Sequence, residues 1–158
     1  MKNKAWKNYA LWIAVTEAVG LASGLITKEG TEIYKDTIAK PPLSPPAIVF
    51  PVVWAMLYAL MGVSAARISL ASPSNTRRCA RNIYLAQLAL NFFWSIIFFN
   101  LQAYLFAFIW LLALWGTILY MIIEFRKIDK IAGNLQIPYL LWVTFAGYLN
   151  LGVWLLNR

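Results

Sequence analysis

No charged side chain lies between Arg81 and Glu124. As one continuous helix at 1.5 Å per residue, that stretch would be about 60 Å long, twice the ~30 Å hydrocarbon core of a bilayer. It must fold back on itself. Asn100-Leu101-Gln102, a polar break near its middle, places a tight turn there. The result is two spans, at about 82–99 and 103–123.

Three further apolar runs have spanning length, at about 8–27, 47–70 and 137–156. The chain is 61% hydrophobic and 13% charged, against about 45–50% and about 25% for soluble domains. Such a composition excludes a conventional soluble enzyme, a disordered chain, a collagen-like chain and a disulfide scaffold. The expected fold class is an all-α integral membrane protein, a bundle of five transmembrane helices in a single domain over 1–158. The first run comes after Lys2, Lys4 and Lys7, as a signal peptide's apolar core would. It exceeds the usual signal length, carries Glu17 and lacks an A-x-A site, so it reads as a retained helix. Between the first two spans, Lys40-Pro41-Pro42-Leu43-Ser44-Pro45-Pro46 cannot be helical. The whole segment 28–46 reads as a stiff loop. Pro51, near the start of the next span, is tolerable if neighbours satisfy the freed carbonyl.

The net charge is +8, with the cations at the ends of the apolar runs. That pattern marks topology signals and lipid-headgroup contacts, not nucleic acid binding. Ten cations (Lys2, Lys4, Lys7, Arg67, Arg77, Arg78, Arg81, Arg126, Lys127, Lys130) fall on one side and four (Lys28, Lys35, Lys40, Arg158) on the other. The positive-inside rule then puts the N-terminus in the cytoplasm, and helical spans favour an inner or plasma membrane. The absence of histidine removes His catalysis, His metal sites and a His-ligated haem. A single cysteine, Cys79, cannot form an internal disulfide. No triad, paired-carboxylate site, phosphate loop or metal cluster is present, so no metal and no required cofactor is expected. Any chemistry must come from a ligand, light or indole redox behaviour.

Ala10, Ala14, Ala18 and Ala22, with Gly20 and Gly24, allow close helix approach in lipid, either within the bundle or in a homodimer. Of eight tryptophans, Trp6 and Trp154 suit membrane interfaces, and Trp12, Trp110 and Trp115 suit lipid or packing positions. Trp54 and Trp142 fall deeper, as does Asn91. A buried amide without a partner costs about 1–3 kcal/mol, so Asn91 serves either as interhelical glue or as a ligand contact. Gln87, Trp94 and Ser95 continue its face. Glu17 is the one acid well inside a span. It is either a neutral group hydrogen-bonded within the bundle or a functional carboxyl, as in a proton-coupled small-molecule transporter.

Four segments carry a family likeness. They are Lys40-Pro41 with Pro45-Pro46; Trp54-Ala-Met-Leu-Tyr58-Ala-Leu-Met61-Gly62; Gln87-Leu-Ala-Leu-Asn91-Phe-Phe-Trp94-Ser95 with Phe98-Phe99; and Pro138-Tyr139-Leu-Leu-Trp142 with Phe145-Ala146, Leu149-Asn150 and Trp154. In order and spacing they resemble the TspO family of tryptophan-rich sensory and translocator proteins, which includes the peripheral-type benzodiazepine receptors. The resemblance implies a five-helix, usually dimeric bundle with a ligand pocket under the loop between helices one and two. It implies ligands such as porphyrin and haem, acting in sensing, carriage or scavenging, and in some bacterial members light-dependent porphyrin degradation. The pocket positions it implies are Trp54, Trp142, Asn91 and, approximately, Tyr34; Tyr58, Gln87, Trp94 and Phe145 are further ligand-binding candidates beside them, and the oxidisable indoles of Trp54 and Trp142 are the photochemical candidates. Leu43 stands where the family's loop has tryptophan. Leu151 and Leu155 stand where the animal sterol motif needs Tyr and a cation.

Overall fold

The computed structural model describes residues 2–158, with side chains from Ala5 onward. The side chains of Lys2 and Lys4, counted above among the flanking cations, lie outside the described residues. The elements are α1 (Lys2–Ile26), α2 (Lys28–Thr37), α3 (Val49–Leu70), α4 (Asn75–Ser95) with a π-helical end (Ile96–Asn100), α5 (Tyr104–Ile128), α6 (Lys130–Asn134) and α7 (Ile137–Leu156). Five segments are long and apolar enough to cross a bilayer: Ala5–Ile26, Val49–Leu70, Asn75–Asn100, Tyr104–Ile128 and Lys130–Leu156. The protein is an all-α integral membrane protein built on five spanning helices.

Helix α2 corrects the expectation of a loop over 28–46. Its residues are polar but contain no proline. Glu29 in its first turn and Lys35 in its last suit the helix dipole. The prolines begin only at Pro41, and they confine the extended stretch to the residues beyond Thr37. A helix needs just one face to dock, and here Gly30 supplies it. A Cβ at Gly30 would overlap the Phe99 carbonyl group.

Helices α4 and α5 also run further than the uncharged stretch. Ser74 caps α4 by accepting from the Arg77 N–H at 3.0 Å, which carries the helix out through the arginines instead of starting it at 82. Helix α5 continues past 123 because Glu124 and Lys127 pair on one face (i, i+3) and Asp129 ends it by capping α6 through the N–H groups of Ile131 and Ala132. Hydrophobicity marks where lipid ends, and helices do not stop there. The turn expected near Asn100-Leu101-Gln102 is present, with Gln102 at φ 51. Pro51 is the third residue of α3 and Pro138 lies in the first turn of α7. Neither removes an intrahelical bond, since first-turn N–H groups have no partner in the helix.

Around the bundle, α1 packs along α3, α3 faces α7, α7 packs on α5, α5 on α4, and α4 closes against α1. The small residues of α1 divide between two faces. A Cβ at Gly20 would overlap the Tyr58 ring, while Gly24 has nothing within 4 Å. Ala10, Ala14 and Ala18 are exposed. On the facing helix, Gly62 lets α1 come within contact of its backbone at Ile13.

Candidate functional site

Four buried polar side chains meet at one level between α3, α4 and α7. Asn91 Nδ2 donates to Tyr58 Oη at 2.9 Å. Tyr139 Oη donates to Gln87 Oε1 at 3.0 Å, and Gln87 Nε2 reaches Met61 Sδ at 3.9 Å. In lipid such bonds bring about 0.6 kcal/mol each on average. Leaving one partner unmet costs more. Asn91, whose partner the sequence left open, is held by Tyr58 across the helix interface. One turn further along α4, Trp94 Nε1 donates to Asn150 Oδ1 at 3.2 Å, and Asn150 Nδ2 donates to the Tyr104 carbonyl at 2.8 Å.

Trp54, Trp142 and Phe145 behave differently. All three are half-buried. The Trp54 ring lies 5.6 Å from Tyr58 and 6.2 Å from Tyr139. Trp142 is edge-on to Phe50 of α3 at 5.9 Å and 5.7 Å from Phe145, which stacks on Tyr148 at 6.2 Å. These rings form an aromatic wall where α3 faces α7. Trp94, Trp110 and Trp115 donate their indole N–H to protein acceptors. Among the described residues Trp54 and Trp142 make no such bond.

The segment between α1 and α3 is pinned over this end of the bundle. Asn157 at the end of α7 accepts from the Ala39 N–H at 3.0 Å and donates to its carbonyl at 2.9 Å. Tyr148 Oη donates to the Pro42 carbonyl at 2.8 Å. Pro41 sits against Gly152, where a Cβ would lie 2.6 Å from the proline ring. From α2, Tyr34 packs edge-on to Phe98 and Phe99 at 5.4 and 5.5 Å, with Lys40 Nζ 5.2 Å from its ring centre. Burial, and then the neighbouring Tyr104, raise the Tyr34 phenol above its ordinary value, so it stays a neutral donor. The π-helical end of α4 sets this floor, because its wider turn presents Phe98 to both Trp94 (5.2 Å, stacked) and Tyr34.

The sequence-predicted residues therefore fall into three groups. Tyr58, Gln87 and Asn91 lie in the polar layer, and Trp54, Trp142 and Phe145 form the wall beside it. Tyr34 and Trp94 join through Phe98 and Phe99 under α2. Glu17 is half-buried on α1, one turn before the Gly20 that packs on the Tyr58 ring, and makes no hydrogen bond or ion pair among the described residues. Sequence reasoning missed the roles of Tyr139, Asn150, Phe50, Tyr148 and Asn157. Tyr139 and Asn150 stand three turns apart on one face of an apolar helix, a pattern that could have marked them. Nothing local marks Asn157.

The model of the TspO/MBR family matches residues 12–155. The chain belongs to the TspO/MBR family. It is 35% identical to the tryptophan-rich protein TspO of Chlorobaculum tepidum over 156 residues, covering 98% of this chain and 99% of that one. It is 35% identical to protein CrtK of Rhodobacter capsulatus over 150 residues (94% and 92%). It is 30% identical to the human translocator protein over 136 residues (85% and 80%). The segments that resemble the TspO/MBR signatures are the ones that build the polar layer, the wall and the pinned segment. At the departure from the family loop, Leu43 adopts φ 67 and is 80% exposed.

Proposed function

We propose that the protein binds tetrapyrroles such as porphyrin or haem at the aromatic wall, as a membrane-embedded sensor, carrier or scavenger. The observation that carries the proposal is the state of Trp54 and Trp142. Both are half-buried, Trp142 reaches the pinned segment through Phe145 and Tyr148, and neither N–H is engaged by the described residues. A porphyrin is flat and apolar with carboxylates at its edge. Indole faces suit the ring and free N–H donors suit the carboxylates. Phe145 extends the wall, and Tyr34 closes the side nearest α2. Tyr58, Gln87, Asn91 and Trp94 set the wall's position and reach a ligand only if it displaces their present partners. The exposed alanines of α1 offer a face for a second copy, and a homodimer is part of the proposal.

The same indoles support light-dependent degradation. An excited porphyrin takes one electron from an indole, leaving an indole radical cation and a porphyrin radical anion. Dioxygen is then the oxidant that opens the ring. Stacking needs only an aromatic face, whereas electron donation needs the indole, so phenylalanine separates the two. Trp54→Phe and Trp142→Phe are expected to bind porphyrin within about tenfold of the parent, roughly 1.4 kcal/mol, and to slow light-driven loss of porphyrin absorbance sharply. Equal bleaching at equal occupancy would reduce both tryptophans to walls. Parent protein that binds no porphyrin would end the proposal. In that case loss of proton-coupled efflux on Glu17→Gln would favour the transporter.

A further inference from the structure

A cavity of about 510 Å³ opens at the end of the bundle opposite the pinned segment, between the start of α4, the end of α3 and α1. Its floor is aromatic. Tyr84 is 1% exposed and stacks on Phe125 at 6.3 Å, and Trp12 meets Tyr84 edge-on at 5.7 Å. Its rim carries Arg77, Arg78 and Arg81. Arg77 is held in place, with Nη1 donating to the Ser69 and Ala71 carbonyls at the end of α3. Arg78 and Arg81 are exposed and make no ion pair or side-chain hydrogen bond among the described residues. Among the described residues no carboxylate lines the cavity. Of the acids nearest this end, Glu124 is paired with Lys127 and Asp129 with Arg67.

Three guanidinium groups without a counter-charge, at the mouth of an aromatic cavity, need an anion. Arg81 is also the last charge before the uncharged spans, so the mouth sits at headgroup depth and the floor at the edge of the hydrocarbon. Planar guanidinium forks match phosphate oxygens in pairs, and the N-terminus of the 21-residue α4 points its positive end to the same place. The cavity is far larger than a phosphate group needs, and its floor would stay unfilled by one. Basic pockets between transmembrane helices take anionic lipid headgroups. We propose that this cavity is a binding site for the phosphodiester headgroup of an anionic phospholipid, with Arg78 and Arg81 as its phosphate ligands and Arg77 as the fixed third cation.

The test uses the intact protein in neutral detergent, with lipid occupancy read by native mass spectrometry. The probes are dioleoylphosphatidylglycerol, dioleoylphosphatidylcholine and soluble sn-glycerol-3-phosphate. The parent is expected to prefer the anionic lipid by about tenfold or more. Arg78→Gln/Arg81→Gln is expected to abolish that preference without lowering the melting temperature, since neither side chain makes a hydrogen bond or ion pair among the described residues. The single Arg81→Gln should move it the same way by less. Lys28→Gln/Lys35→Gln, which removes the same charge from the other end, should leave it intact. The proposal fails if the parent shows no preference or if the arginine variants keep it. It also fails if the lysine variant loses the preference equally, which would mean bulk charge. Displacement of the lipid by glycerol phosphate at equal concentration would assign the site to a free phosphate compound instead.

Discussion

The polar layer and the aromatic wall are built from neighbouring residues, yet they have opposite requirements. Asn91, Gln87, Tyr58 and Tyr139 are all but fully buried, and each has found a partner on another helix. Trp54 and Trp142 stand about one turn away from Tyr58 and Tyr139, half-exposed and packed against other rings, with no hydrogen bond from either indole among the described residues. The two sets differ in whether the polar atom already has a protein partner. The amides and phenols hold helices together, and the proposed ligand contacts are indoles whose N–H groups make no bond among the described residues.

Asn91→Leu is expected to have the largest effect. It leaves the Tyr58 hydroxyl without its donor inside a nearly dry interface. A stability loss of about 1–3 kcal/mol is expected, read as a lower melting temperature in detergent, with normal porphyrin affinity in the folded fraction. Weakened affinity with unchanged melting would move Asn91 from the layer to the wall.

Trp142→Phe tests the other half. Its melting temperature should stay close to that of the parent, because the ring contacts with Phe50 and Phe145 survive the substitution. Its binding should change by no more than about 1.4 kcal/mol, titrated by porphyrin absorbance in the dark. A large melting shift would mean that the wall is structural too.

Asn157→Ala asks what holds the wall's cover. Two hydrogen bonds to Ala39 are lost, at about 0.5–1.5 kcal/mol each before solvent replaces them. Faster protease cleavage between residues 38 and 46 is expected, with little change in melting. Unchanged cleavage would give the pinning to Tyr148 and Gly152 instead.

The smallest effect lies at the far end. Burial raises the Asp129 carboxyl, but hydrogen bonds from the Ala132 N–H and from Arg67 outweigh it and hold the group below its ordinary 3.8. A depressed folded value stabilises the fold above the ordinary value, and that stabilisation is lost as pH falls through the lowered one. Melting should therefore be insensitive to this group near neutrality and fall below about pH 4. Asp129→Asn should remove that part of the fall, at most about 1 kcal/mol for a partly exposed pair.

Five spans, the turn at Asn100–Gln102 and the family signatures were all legible in the chain, because each depends on composition or spacing within one segment. Helix α2 was not. Its polar residues look like a loop until Gly30 meets the Phe99 carbonyl, a contact between residues far apart in sequence. The same holds for the site. Residue type marked Trp54, Trp142 and Asn91 as unusual, but could not say which had a partner.

The linear chain carries everything that water and lipid require of it segment by segment: which stretches enter the bilayer, where the prolines forbid helix and where the cations stop insertion. These are local transfer energies, summed along the chain. It took the packed bundle to bond Asn91 to Tyr58, to turn Gly20 inward while Gly24 stays open, and to ring a cavity with three arginines and no acid. Each depends on which helix faces which. In lipid, where apolar burial no longer drives helices together, that choice is made by close packing and polar pairing between distant residues.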